Sequence, residues 1–143
     1  MDTIDQKILH ILQQNSRAPI KHISQEVNLS APAVSARIER MERSGIIRGY
    51  SLDLDPVQLG HHILAYINLD MTPSEKERFI PFIRSCPNVI ECNCITGPYS
   101  MLIKVSYPST QELDSFIGRL QHFGKTETQI VFSSPVPPRG IAV

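Results

Sequence analysis

The sequence has no tryptophan, and aromatic residues fill only 6% of its 143 positions. Its three cysteines are too few and too oddly numbered for a disulfide framework, which suits a reducing compartment. No apolar stretch approaches the roughly 18 residues that a membrane span needs. The opening Met1-Asp2-Thr3-Ile4-Asp5 is acidic and then amphipathic, unlike a basic, greasy export signal. These absences exclude secreted, membrane and mini-protein classes and predict a cytoplasmic protein. There is also no G-x-S-x-G, no phosphate-cradling glycine loop and no H-E-x-x-H, and the seven glycines are scattered. No catalytic residue, no cofactor and no enzyme are expected. Cys86, Cys92 and Cys94 lack C-x-x-C spacing; a C-x-C on a strand points both thiols to one face, so they read as buried core thiols rather than metal ligands. His61 and His62 would face opposite ways on a strand, and His10, His22 and His122 are isolated on helices, so no metal site is expected.

What is present is a globular composition, 41% apolar and 20% charged, with no net charge. Neutrality hides an asymmetry. Residues 1–50 hold seven basic against five acidic residues, and the remainder seven against nine. Such a difference gains meaning only from where the bases sit, because phosphate binding needs them on one face.

Ile4, Ile8, Ile11 and Leu12 recur at helical spacing over residues 3–14, with Asp2 placed to cap and Asp5 three positions on. A second short helix begins at Pro19, a residue suited to a first helical turn, and buries Ile20, Ile23 and Val27. Asn28 tolerates the left-handed backbone of a tight turn. Ser30 then caps a third helix that holds Pro32 in its first turn, runs to about Arg43 and stops at Gly45. Val34, Ile38 and Met41 share one stripe of it. The opposite face displays Pro32, Ala36, Arg40 and Arg43, flanked by Ala33, Ser35 and Arg37. This is a helix-turn-helix layout: small residues let the backbone approach base edges, and arginines reach phosphates on either side of the groove. Lys21 on the second helix is a further phosphate candidate. An ordinary three-helix bundle with a solvated charged face fits the same pattern, and Glu39 and Glu42 favour it.

The spacing Asp2…Asp5…Ile8-Leu9…Leu12…Arg17…Ile23…Val27…Leu29-Ser30…Val34…Arg37-Ile38…Met41-Glu42…Gly45-Ile46-Ile47…Gly49-Tyr50 resembles the N-terminal domain of the Lrp/AsnC (leucine-responsive, feast/famine) transcription regulators. The resemblance continues through Leu54-Asp55-Pro56…Leu59-Gly60, similar to the family's interdomain segment. It extends over Val89-Ile90-Glu91…Thr96-Gly97…Tyr99…Leu102-Ile103-Lys104-Val105. Pro19 and Asn28 depart from the Ser or Thr and the Gly usual there; both are physically tolerable.

The second half reads as strand (62–71), helix from Thr72-Pro73-Ser74 ending before Pro87, strands (89–95 and 100–107), helix opened by Pro108-Ser109-Thr110, and strand (126–132). The fold class is thus α+β: an N-terminal helix-turn-helix, winged-helix-like domain (1–50), a linker (51–60), and a ferredoxin-like βαββαβ sandwich (61–143). Two helices cover one face of such a sheet, and the other is expected to be bare and apolar, calling for a second copy. The resemblance implies the same: homodimers assembling into tetramers or octamers, which would present paired recognition helices to double-stranded DNA and bend or wrap it. The third helix offers no Asn or Gln, so DNA shape is expected to contribute strongly to recognition. A nucleoid-associated, architectural role and a metabolite-binding module with little DNA role are the competing readings.

The resemblance also implies an amino-acid effector near the turn Thr96–Met101, where family members usually show Gly-Asp-x-Asp, whose carboxylates suit an ammonium. Here the residues are Gly97-Pro98-Tyr99-Ser100. Both acids are absent. Tyr99 and Ser100 could still hydrogen-bond a ligand, so effector binding at Thr96, Gly97, Pro98, Tyr99, Ser100 and Met101 is left open. The proline-rich tail Ser133–Gly140 is expected to be extended, either packed across a neighbouring subunit or loose.

Overall fold

A computed structural model describes residues 1–143. The chain divides into two compact units, one of Met1–Asp53 with Pro135–Val143 and one of Leu54–Ser134, each around its own apolar core.

The first unit is built from α1 (Thr3–Gln14), α2 (Ile20–Val27) and α3 (Ala31–Arg43). A reciprocal capping box opens α1. The Asp2 carboxylate accepts from the Ile4 N–H (3.0 Å) and the Asp5 N–H (2.8 Å), and the Asp2 N–H donates to Asp5 (3.1 Å). Three N–H groups that the helix start would leave unpartnered are thereby satisfied. Pro19 stands at the N-cap of α2, one residue before the first turn in which it was expected, and its carbonyl accepts the first helical bond from the Ile23 N–H (3.1 Å). Asn28, at φ 54°, adopts the left-handed backbone that turns the chain from α2 towards α3. Ser30 caps α3 by accepting from the Ala33 N–H (3.4 Å), with Pro32 in the first turn. Gly45 (φ 76°) ends it, its N–H donating to the Glu42 carbonyl (3.0 Å). No strand follows before Ile63. Ile8, Leu9, Ile23, Val27, Val34, Ile38 and Met41 form the core between the three helices. The tail lies on α1 of this unit, where Gln13 Nε2 donates to the Ile141 carbonyl (3.0 Å).

The second unit runs β1 (Ile63–Asp70), a 3-10 turn (Pro73–Glu75), α4 (Lys76–Arg84), β2 (Val89–Cys94), β3 (Met101–Tyr107), α5 (Thr110–Leu120) and β4 (Lys125–Ile130). The sheet is antiparallel in the order β2-β3-β1-β4, the ferredoxin-like arrangement. Period-two alternation places Ala65, Ile67, Leu69, Met101, Ile103 and Val105 on one face, where Phe79 and Ile83 of α4 and Leu113, Phe116 and Leu120 of α5 cover them. Each fully buried large side chain contributes about 1.5–3 kcal/mol. Gly124 starts the approach into β4 so close to β1 that a Cβ there would lie 1.8 Å from the Asp70 carbonyl oxygen.

The uncovered face corrects an expectation. It is not apolar: the register sets Leu64, Tyr66 and Leu102 among Asn68, Lys104, Glu127 and Gln129, with the Lys104 ammonium 5.8 Å from the Tyr66 ring centroid. Alternation assigns the strongest apolar residues of β1 and β3 to the helix side and leaves a mixed set behind. The thiols are corrected in part. Cys86 is buried, Cys92 is half-buried against the core, and Cys94 is exposed because it ends the edge strand β2. Burial, with Cys94 adding a little, pushes the Cys92 thiol up to about 11.

Candidate nucleic-acid interface

On α3 the sequence-expected residues separate by what they touch. Pro32, Ala36, Arg40 and Arg43 are exposed, while Ala33 and Ser35 are half-buried beside them. The start of the helix therefore offers a low surface on which a duplex edge could come close to the backbone. Ser30 is exposed, with its oxygen engaged as the cap. Lys21 on α2 is exposed, and Arg43 projects with 72% of its side chain accessible, loosely paired at 3.6 Å with Glu39.

Arg37 and Arg40 behave differently. Arg37 Nη1 donates to Asp2 (2.7 Å) and to Asp5 (2.8 Å), and only 24% of its side chain is accessible. Arg40 Nη2 donates to both Asp5 oxygens (3.0 and 2.8 Å), yet 57% of its side chain remains exposed. Asp5 itself is buried, at 1% exposure. Both carboxyls are held below the ordinary range. The Arg37 hydrogen bond is the main cause for Asp2, which lies at about 2. For Asp5, burial pushes the other way and is outweighed by the Asp2 N–H, Arg37 and Arg40. The three-residue spacing of Arg37 and Arg40 and the three-residue spacing of Asp2 and Asp5 bring like charges together on each helix, so each pair needs the other.

Sequence reasoning missed these two acids as partners of the arginines. A signal was present. Asp5 shares the stripe of Ile8, Leu9 and Leu12 at spacings of three, four and seven, and a carboxylate on a core-facing stripe requires a cation.

In the second unit, the turn between β2 and β3 holds Thr96, Gly97 (φ 105°) and Pro98 exposed, while Tyr99 and Ser100 are half-buried. Ser100 is committed to the scaffold: its hydroxyl donates to the Met71 carbonyl (3.0 Å) and accepts from the Met71 N–H (3.0 Å). Met101 is buried in the core. The Tyr99 hydroxyl donates to Glu127 of β4; that bond, burial and the nearby Asp70 carboxylate all raise its phenol. Two carboxylates thus stand beside the turn even though it contains none, and their distance in sequence hid them. His61 Nδ1 lies 3.2 Å from the Ser106 carbonyl while His62 is exposed, and no three His, Cys, Asp or Glu side chains converge on a common point.

Comparison with known proteins agrees with this architecture. Residues 1–42 match the model of the AsnC-type helix-turn-helix domain and residues 64–141 that of the Lrp/AsnC ligand binding domain. The chain belongs to the Lrp/AsnC family. It is 35% identical over 134 residues to the uncharacterized HTH-type transcriptional regulator YezC of Bacillus subtilis, covering 94% of this chain and 95% of that one. Among solved family structures, Bacillus subtilis LrpC superposes with a TM-score of 0.89 at 28% identity, covering 94% of this chain and 96% of that one. A Neisseria meningitidis transcriptional regulator in complex with L-methionine superposes with a TM-score of 0.89 at 26% identity, covering 97% of this chain and 94% of that one. No helix of this Lrp/AsnC chain is long and apolar enough to cross a membrane.

Proposed function

We propose that the protein is a transcription regulator that binds double-stranded DNA through α3, acts as an oligomer and has no catalytic role. The observation that carries the reading is the outer surface of α3: small residues at its start (Pro32, Ala33, Ser35, Ala36), Ser30 before them, and exposed cations at Arg40, Arg43 and the neighbouring Lys21. Family membership supports it. A two-fold pair of such helices reads half-sites one helical turn or more apart, and larger assemblies bend the duplex at a cost offset by added phosphate contacts. The mixed sheet face, with Leu64, Tyr66 and Leu102 among polar residues, is suited to an interface between subunits that keeps a polar share. This reading places the protein in the cytoplasm, on the nucleoid. Its test is a gel shift over the region upstream of its own coding sequence at fixed salt. A discrete shifted species supports the reading; no shift at low ionic strength ends it.

The second reading, an amino-acid effector at the Thr96–Met101 turn, rests on Glu127 and Asp70, which stand beside Tyr99 and could take an ammonium in place of the absent acids of the turn. The complex of the Neisseria meningitidis relative with L-methionine supports it. Calorimetric titration with the twenty amino acids tests it: saturable heat that disappears in Glu127→Gln supports the site, and no heat with any of them removes it.

A further inference from the structure

The clamp between α1 and α3 assigns the arginines of α3 unequal parts. Arg37 lies between two carboxylates at 2.7 and 2.8 Å, with three-quarters of its side chain covered. One of those carboxylates, Asp5, is buried and has every oxygen engaged: Arg37 and Arg40 on one, Arg40 and the Asp2 N–H on the other. A phosphate could take Arg37 only by uncovering Asp5 or stripping Asp2, and a buried carboxylate left without its cation is expensive. Arg40 is bound through one nitrogen alone, with the rest of its guanidinium lacking a protein partner. Arg43 has only a long contact to Glu39.

Resting on the DNA-binding reading above, we propose that Arg37 is a positioning residue: gripped by Asp2 and Asp5, it fixes α3 against the N-terminal turn of α1 and so sets how the recognition surface is presented, while Arg40 and Arg43 make the phosphate contacts. The acidic pair belongs to the recognition apparatus although neither acid touches DNA. Two side chains that look alike on a helical wheel then differ in kind, one setting geometry and the other supplying charge.

Salt dependence separates the two parts. Each phosphate contact adds about 0.9 to the slope of log affinity against log salt. Anisotropy titrations use the full-length protein and a labelled duplex from upstream of its own coding sequence, at several salt concentrations and well below the melting temperature. Arg43→Ala is expected to weaken binding and lower the slope by about 0.9. Arg37→Ala is expected to weaken binding roughly tenfold while leaving the slope unchanged. Arg37→Gln, which keeps one donor for the carboxylates, serves if the alanine variant fails to fold by circular dichroism, and it should show the same unchanged slope with a smaller loss. A slope lowered by about one in a folded Arg37 variant would overturn the assignment, because the residue would then be a phosphate contact. Unaltered affinity would overturn it as well, because Arg37 would then serve stability alone. Failure of the unsubstituted protein to bind DNA at all would sink the DNA reading and this assignment with it, an outcome distinct from a changed slope.

Discussion

Asp5 concentrates the residue-scale argument. Its carboxylate is 1% exposed, carries half of the capping box and receives Arg37 and Arg40 of α3. Asp5→Asn keeps the shape and removes the charge, so Arg40 loses its only carboxylate partner and Arg37 one of its two. Thermal or urea denaturation should register a loss of about 2–3 kcal/mol for the first unit, the range for a charged hydrogen-bonded group; a loss under about 0.5 kcal/mol would mean the clamp is ornamental. The pH dependence follows from the same shifts. Both carboxyls have folded pKa values below their unfolded ones, so their stabilisation is complete above the ordinary carboxylate range. It is lost as pH falls from about 4 towards about 2, where Asp2 takes up its proton. Acid unfolding followed by circular dichroism should begin in that window, and Asp2→Asn should be less stable at neutral pH with a deficit that shrinks as pH falls through it, because the variant has no charge left to lose. At this scale the caps were legible in the sequence, because Asp2, Asp5, Ser30 and Asn28 act on neighbours within a few residues. The clamp was not, since it joins residues 32 to 35 positions apart that no local pattern relates.

Elements meet most tightly where β4 leaves α5. Gly124 sits against the end of β1, and a methyl group there would lie 1.8 Å from the Asp70 carbonyl oxygen, so Gly124→Ala must push backbone rather than a flexible side chain. A cost of about 3 kcal/mol is expected, at the upper end for overpacking, measurable as a lowered denaturation midpoint. The turn from α2 to α3 gives the opposite case. Asn28 at φ 54° is replaced by Gly at little or no cost, whereas Asn28→Val should cost about 1–2 kcal/mol through its β-branched side chain. Element order and type were readable because the strands alternate with period two and the helices carry stripes. Which strand residues face away from the helices was misjudged. Apolar content counted along β1 and β3 suggested a greasy second face, but register sends Ala65, Ile67 and Leu69 to the covered side and leaves Asn68, Lys104 and Gln129 opposite. Ser100 likewise looked available as a ligand contact, although it pins the end of β1 through Met71.

At the scale of the whole molecule, the proposed function has one unit read DNA and the other bring copies of the chain together. Light scattering after size exclusion is expected to give a dimer or a larger even-numbered oligomer. Substituting Tyr66 and Leu102 together with Glu should reduce it towards a monomer, and an oligomer unaffected by that pair would exclude the sheet face as the interface. The central claim is that the outer face of α3 meets the duplex, and Ala36 is the place to ask. It is exposed, small and outside the clamp, so Ala36→Glu puts a negative charge where phosphates and base edges are expected while leaving the core untouched. Titrated against the upstream duplex at fixed salt, the variant should keep its melting temperature and oligomeric state and lose at least about tenfold in affinity. Undiminished binding by a folded Ala36→Glu protein would contradict the account.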